Sequence, residues 1–345
     1  MRTEKRAAVV LLVLALVLGG CAAPSASGGQ KQYTATFLEL FDTVTTVIGK
    51  ADSEEDFRAT AEEIRDELMQ YHQLFDIYHD YAGLNNLKTV NDNAGIAPVA
   101  VDERILDLLE ACKGYYEVTD GRVNIAMGGV LRLWHEERNT GVQDPSNAKL
   151  PSEEKLRRAG EHMDLNALVI DRENAAVYLS DPLASLDVGA VAKGWSAQRV
   201  CENAPAGLLI SVGGNVCATG PKDPAGTPWV VGIQDPNGSD KYLHTIYVTG
   251  GSVVTSGDYQ RAYAVDGRLY HHIIDPDTLY PGGDWRSVTV VCADSGLADA
   301  LSTALFLLPQ AEGQAILGKF QAEAMWVDAE GNISYSPEFE ALIKI

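Results

Sequence analysis

The sequence predicts an α+β fold in a single large domain, with mostly antiparallel sheets flanked by helices, and three observations carry that expectation. Helical and strand-like segments fall in blocks, not in the strict alternation that a doubly wound parallel sheet requires. Most of the chain between Leu168 and Val290 reads as strands separated by Asp-Pro, Gly-Gly and Asn-Gly punctuation. Neither a linker-like tract nor an internal repeat divides the roughly 310 residues after the N-terminal segment, a length within reach of one domain.

The N-terminal segment stands apart. Arg2, Lys5 and Arg6 precede an apolar run from Ala7 to Leu18, the outline of a signal peptide over residues 1–20. About twelve apolar residues are too few for a permanent span, which needs roughly 20. Leu18, Gly19 and Gly20 then lead into Cys21, a pattern that resembles the lipobox of bacterial lipoproteins, in which the cysteine is lipidated. A secreted protein cut near Ala23 is the other reading. Residues 21–32, rich in Ala, Pro, Ser and Gly, read as a flexible tether, and the folded domain as 33–345. The expectation is an exported protein held at the extracytoplasmic face of the cell membrane through Cys21.

Within the domain, residues 38–48 read as one β-branched strand. Residues 53–74 predict an amphipathic helix opened by a capping serine and acidic side chains. Further helices are predicted over 102–116, 127–138, 152–160, 190–202 and 298–308. A final strand pair is predicted over 324–327 and 333–335.

The formal net charge of -21 becomes -23 once residues 1–20 leave, because they carry three positive charges and one negative. Such acidity argues against nucleic acid as a partner. Cys112, Cys201, Cys217 and Cys292 are scattered without CxxC spacing, which argues against a metal cluster or redox pair. Export would permit disulfides, whereas the apolar neighbours Ala111, Val200, Val216 and Val291 fit buried free thiols.

Five segments carry chemistry. Ser185 to Trp195 reads as a strand end, a glycine turn and a helix start, where free N–H groups favour an anion and Lys193 adds a mobile positive charge. Asp187 and Lys193 also fit a surface pair. Thr255-Ser256-Gly257-Asp258-Tyr259 offers two hydroxyls and a carboxylate, or a plain turn. His271 and His272 precede Ile273-Ile274-Asp275-Pro276; neighbours on a strand face opposite ways, so at most one reaches a given site. Such a histidine can act as general base or hydrogen-bond within the turn. Asp299 and Thr303 share one helix face among Ala300, Leu301, Ala304 and Leu305. A buried carboxylate is costly unless paired or metal-bound, and hard oxygen ligands suit Mg2+; a helix-capping role is the alternative. Gly213-Gly214-Asn215 permits close backbone approach or forms an ordinary tight turn.

Taken in order, from about Phe41 to Leu308, these segments resemble the family of FAD:protein FMN transferases, the ApbE-like proteins. The family's Leu-Asp-Leu-Gly-Gly-Ile-Ala-Lys-Gly block is similar to Leu186 through Gly194, its Gly-Gly-Asn to Gly213 through Asn215, and its Thr-Ser-Gly-Asp-Tyr to Thr255 through Tyr259. Its His-Ile-Ile-Asp-Pro and Thr-Gly-Tyr-Pro are similar to His272–Pro276 and Thr278–Pro281, and its Asp-Ala-x-x-Thr to Asp299 through Thr303. Three segments depart from the pattern. Phe41-Asp42-Thr43 stands for Met-Gly-Thr, Asn124 for the aspartate of Gly-x-Phe-Asp, and Leu279 for the glycine of Thr-Gly-Tyr-Pro.

The resemblance implies an ApbE-like, T-fold-related architecture and a transferase that splits FAD. FMN would pass to a Thr or Ser hydroxyl of an exported or membrane-bound acceptor protein, with release of AMP. It further implies Mg2+ held by Asp299, Thr303 and the backbone carbonyl of Ala190, Lys193 near the FAD phosphates, and Asp187 holding FAD by hydrogen bonds. His272 is the expected base, with Asp258 the alternative. Phe41 and Tyr78 are expected either against the flavin or adenine rings or in plain core packing. Val123, Asn124, Thr255, Ser256 and Ile273 complete the expected FAD contacts. Two other readings are an FAD-holding lipoprotein and an FAD pyrophosphatase releasing free FMN and AMP. The metal pair argues against mere holding, since binding an intact dinucleotide requires no metal on its pyrophosphate.

Overall fold

The computed structural model describes residues 30–238 and 241–344. The expected signal peptide, the lipidated Cys21 and most of the tether lie outside the described residues. Strands β1 (Lys31–Leu40) and β2 (Thr43–Ala51) form an antiparallel hairpin where one strand was expected over 38–48. Phe41 and Asp42 take φ of 51° and 52° in the turn, the left-handed pair that matches the twist of a tight hairpin. Phe-Asp lacks the Asn-Gly or Asp-Gly signature, so nothing local announced the reversal.

Helix α1 (Glu54–Phe75) starts where the sequence indicates, with the Ser53 hydroxyl accepting the Asp56 N–H at 3.1 Å. The short α2 (Leu87–Asp92), with a capping box at Asn86 and Thr89, was not expected, because six residues are too few to show a helical period. Then come β3 (Val99–Ala100), α3 (Glu103–Val118) capped by Asp102, α4 (Gly128–Gln143), which runs past the expected end at Arg138, and α5 (Glu153–Gly160). Strands β4 (Leu168–Asp171) and β5 (Ala176–Leu179) precede α6 (Ala192–Asn203).

The strand-rich region comprises β6 (Leu208–Val212), β7 (Asn215–Ala218), β8 (Trp229–Gln234), β9 (Tyr242–Val248), β10 (Gly251–Gly257), β11 (Tyr263–Val265), β12 (Arg268–Tyr270) and β13 (Trp285–Cys292). Helices α7 (Ser295–Leu307) and α8 (Gln310–Leu317) follow, then β14 (Ala322–Asp328) and β15 (Ile333–Tyr335). Because β12 ends at Tyr270, His271 and His272 stand in irregular backbone and not on the expected strand.

Among the described residues, an eight-stranded sheet runs β1-β2-β6-β7-β10-β13-β14-β15 with every neighbouring pair antiparallel. The period-two alternation of each strand supplies two cores. Val47, Ile210 and Val212 face the helices α1 and α6, and Val254, Val288 and Trp326 face Leu301, Leu305 and Phe306 of α7. On the opposite face, Ile48, Val253, Met325 and Val327 pack under the β8–β9 hairpin through Trp229, Val231 and Ile246.

Helix α7 packs against α6, β10 and β13 and is apolar almost all round, as a fully enclosed helix must be. It starts at Ser295, earlier than the expected residue 298, because Asp294 caps it by accepting the Leu297 N–H at 2.7 Å. Asp299 therefore lies inside the helix, and the capping alternative for it falls away.

Candidate active site

The first turn of α6 meets the second turn of α7 at Gly194. Its N–H donates to Asp299 Oδ2 at 2.8 Å, and Lys193 Nζ lies 3.8 Å from the same oxygen. A Cβ on Gly194 would stand 2.3 Å from the Ser295 carbonyl oxygen and 2.5 Å from Asp299 Cβ, so only glycine allows this approach. Asp299 is 4% exposed. Burial raises its carboxyl pKa, opposed by Lys193, the Gly194 N–H and the neighbouring Asn215 amide.

Thr303 lies one turn further along α7. Its Oγ1 is 3.5 Å from Ser256 Oγ, which also pairs with Ser302 Oγ at 2.8 Å, while Thr255 Oγ1 lies 2.9 Å from Thr289 Oγ1. Among the described residues no cluster of three or more His, Cys, Asp and Glu is present. A lone buried carboxylate with a hydroxyl beside it is a hard, sparse donor set. It fits Mg2+, which fills its remaining positions with phosphates and water.

The segment leading into α6 is held from both ends. The Asp187 N–H donates to the Ile125 carbonyl at 2.8 Å, and its Oδ1 accepts the Gly189 N–H at 2.8 Å. Loss of surrounding water raises the Asp187 carboxyl pKa, with the Gly189 N–H, His135 and Arg261 opposing. Ala190 lies in the turn between this aspartate and the helix.

The two histidines have distinct surroundings. His272 Nδ1 is buried without a hydrogen-bond partner, and burial together with Arg261, Lys193, His271 and Arg138 pushes its pKa down to about 3. It is neutral at pH 7. His271 accepts the Ile273 N–H at 3.2 Å and sets its ring edge-on to Phe306 at 5.5 Å. Ile273 is buried in the α7 core. Asp258 forms an ion pair with Arg286 at 2.7 Å and borders a separate cleft of about 720 Å3 together with His271, Trp285 and Asp328.

Tyr78 is half-exposed, its ring stacked on His135 at 5.2 Å with 27° between planes. Burial, with Asp187 adding to it, pushes the Tyr78 hydroxyl up to about 12. Arg138 Nη2 lies 2.9 Å from His135 Nδ1. Arg138 and Arg261 act on each other and on His272, and neither has a carboxylate within ion-pair distance among the described residues. His135, Arg138 and Arg261 were missed in the sequence. The signals were a His and an Arg three apart on one helix, and an Arg two residues beyond Tyr259.

Other expected contacts have structural partners. Phe41 is half-buried, its N–H donating to His72 Nδ1 at 3.1 Å and its ring edge-on to His72. Val123 is buried, with its N–H on Thr119 Oγ1. Asn124 donates to the Met163 carbonyl and accepts the Ala126 N–H, both at 2.9 Å, bracing the entry to α4. Leu279 takes φ of 63°, the left-handed region that glycine favours and that costs other residues roughly 1–2 kcal/mol. The Trp134 indole N–H holds its carbonyl at 2.9 Å.

The ApbE family model matches residues 40–326. The chain is 32% identical over 255 residues to an FAD:protein FMN transferase of Klebsiella pneumoniae (strain 342), covering 71% of this chain and 76% of that relative. It is 36% identical over 252 residues to the FAD:protein FMN transferase of Treponema pallidum (strain Nichols), covering 68% of each. The crystal structure of the ApbE protein from Thermotoga maritima MSB8 superposes with a TM-score of 0.81 at 29% identity, over 91% of this chain and 100% of that one. The flavin transferase ApbE from Vibrio cholerae shares the fold, with a TM-score of 0.74 at 20% identity over 91% and 99%. Since the matched span runs from the β1–β2 hairpin into β14 and takes in the α6–α7 junction, the chain belongs to the ApbE family.

Proposed function

We propose that this chain is a Mg2+-dependent FAD:protein FMN transferase that attaches FMN to a Thr or Ser hydroxyl of an exported or membrane-bound acceptor and releases AMP. One observation carries the reading. The buried Asp299 carboxylate lies 3.8 Å from Lys193, whose charge, with those of Arg261 and Arg138, also bears on a buried, neutral His272, and neither arginine has a carboxylate within ion-pair distance among the described residues. That is a site built for an anion, as the diphosphate of FAD is.

Lys193, Arg138 and Arg261 hold the diphosphate at the start of α6. Asp299, Thr303 and the Ala190 carbonyl hold Mg2+, which when bound neutralises charge on the phosphate oxygens. The Tyr78–His135 stack offers an aromatic surface to one of the rings. His272 accepts the proton of the acceptor hydroxyl as its oxygen bonds to the FMN phosphorus, and the bond from that phosphorus to the AMP oxygen breaks. A pKa near 3 makes a weak base in the empty site. The incoming diphosphate offsets the Arg261 and Lys193 share of that shift and raises the pKa, while burial, its main cause, continues to hold the ring neutral.

The test incubates the full chain with FAD, Mg2+ and a Thr- or Ser-containing acceptor flavoprotein, and follows fluorescent flavin on a denaturing gel. Covalent flavin on the acceptor with AMP released is expected. Free FMN and AMP with an unlabelled acceptor would replace this reading by a pyrophosphatase, and retention of intact FAD by a flavin-holding protein. We further propose that lipidated Cys21 places this site on the outer face of the cell membrane, where anchored acceptors are met at high effective concentration. Cys21→Ser should move the protein from the membrane to the soluble fraction; continued membrane association would refute the anchor.

A further inference from the structure

Cys201, near the end of α6, and Cys217, within β7, come together where the helix lies on the sheet. Both thiols are free, Cys217 is buried, and Cys201 packs on the same core as Val200 and Ala197. Helix α6 packs directly on β7, and the Cys217 thiol is the nearest influence on that of Cys201. Both cysteines also line one open cleft of about 270 Å3, together with Glu202 and Thr219, so a solvent-borne reagent can reach the part-exposed Cys201, with Cys217 behind it.

We propose that Cys201 and Cys217 are an oxidation site, closing into an intramolecular disulfide that staples α6 to β7. The consequence is specific to this fold. Helix α6 begins at the Lys193–Gly194 contact with Asp299, about two turns before Cys201. Strand β7 begins at Asn215, a buried amide beside the same carboxylate. The staple therefore ties together, at their far side, the two elements that flank Asp299. The intervening loop contains Gly207, Gly213 and Gly214 at positive φ. Such a loop is free in the unfolded chain, which is where a cross-link acts.

The oxidant is a disulfide of the thiol-exchange class, such as glutathione disulfide or a protein disulfide. One cysteine thiolate attacks it to form a mixed disulfide, and the second displaces the leaving thiolate. Two S–H bonds are lost and one S–S bond forms; the electron pair cleaves the external disulfide, and the two protons end, by way of solvent, on the two thiols it becomes. The neighbouring Cys217 sulfur, and then burial, raise the thiol pKa of Cys201. Exchange is therefore slow at neutral pH, the behaviour of a structural staple and not of a rapid sensor. Only the presence of an oxidant in the cell depends on the proposed export; the chemistry does not depend on the transferase reading.

The test equilibrates the full chain with glutathione disulfide, alkylates free thiols and digests with trypsin. Residues 200–222 contain no Lys or Arg before Lys222, so both cysteines fall on one peptide. That peptide should appear without alkyl groups and about 2 Da lighter than its reduced form. Two alkyl groups on it, or linkage to Cys112 or Cys292, would overturn the proposal. Oxidation should also raise Tm by about 5 °C, a gain absent from Cys201→Ser. Equal melting of the oxidised and reduced parent would refute the staple.

Discussion

The Gly194 N–H donates to Asp299 Oδ2 at 2.8 Å, across an α6–α7 contact so close that one added carbon would stand 2.3 Å from the Ser295 carbonyl. The obstructing atoms are backbone, which cannot rotate away. Gly194→Ala must push the two helices apart, an overpacking that costs roughly 1–3 kcal/mol. The expected outcome is a fall in Tm of about 3–8 °C with weakened Mg2+ binding, read by thermal melting and calorimetric titration. Parent-like values in both would contradict the contact.

Asp299→Asn keeps the shape of the side chain and removes its charge. If it holds Mg2+, loss of several kcal/mol of charge stabilisation lowers turnover about a thousandfold. Stability without metal should move the other way. Burial raises the Asp299 carboxyl pKa above its unfolded value, so its protonated form is favoured in the fold. That contribution is fully present below the unfolded pKa near 4 and is lost as pH rises through the folded value. In chelator, the urea midpoint of the parent should fall behind that of the variant as pH rises above 4. A gap that stays constant with pH would argue that Asp299 is not held in this way.

His272→Asn should lower turnover by about 10²–10⁴, the usual contribution of a positioned acid or base. The same substitution reports on burial. The folded pKa of about 3 lies below the unfolded value near 6.5. Stability from the neutral ring is therefore present above pH 6.5 and is lost as pH falls through 3. Denaturation midpoints of the parent should drop faster than those of the variant between pH 6.5 and 4. Parallel curves would place His272 in solvent. His271, with a pKa pushed down to about 4 by burial, is common to both proteins and cancels.

Arg261 is exposed, with no carboxylate in ion-pair range among the described residues, and its charge depresses His272. Arg261→Gln should weaken FAD binding about tenfold, the worth of one charge-assisted hydrogen bond. It should also raise the pKa of His272 in the empty site, which an imidazole proton titration by NMR would follow. Unchanged FAD affinity and an unchanged titration would remove Arg261 from the site.

The elements that the sequence marked correctly are those with local causes. Ser53 and Asp102 cap the helices they precede, and Ser152 directly precedes α5 as expected. The missed reversal at Phe41 and Asp42 depends on strand twist more than on the residues themselves. Asn124 and Leu279, two departures from the family pattern, have partners far along the chain, the Asn124 amide on the Met163 carbonyl and the Leu279 side chain against Gly160, where a Cβ would stand 2.8 Å from Leu279 Cδ1.

By itself the sequence determined an antiparallel α+β chain, the order of its motifs, and a carboxylate and hydroxyl on one face of α7. Those properties follow from backbone periodicity and side-chain chemistry, which act over a few residues. Only the tertiary structure decided that Gly194 meets Asp299, that Asp258 pairs with Arg286, that His272 and not His271 lies among the cations, and that α4 contributes Arg138. Each of these depends on how whole elements pack, and the Gly194–Asp299 contact joins residues 105 positions apart. No local pattern encodes a distance set by the size of the side chains between them.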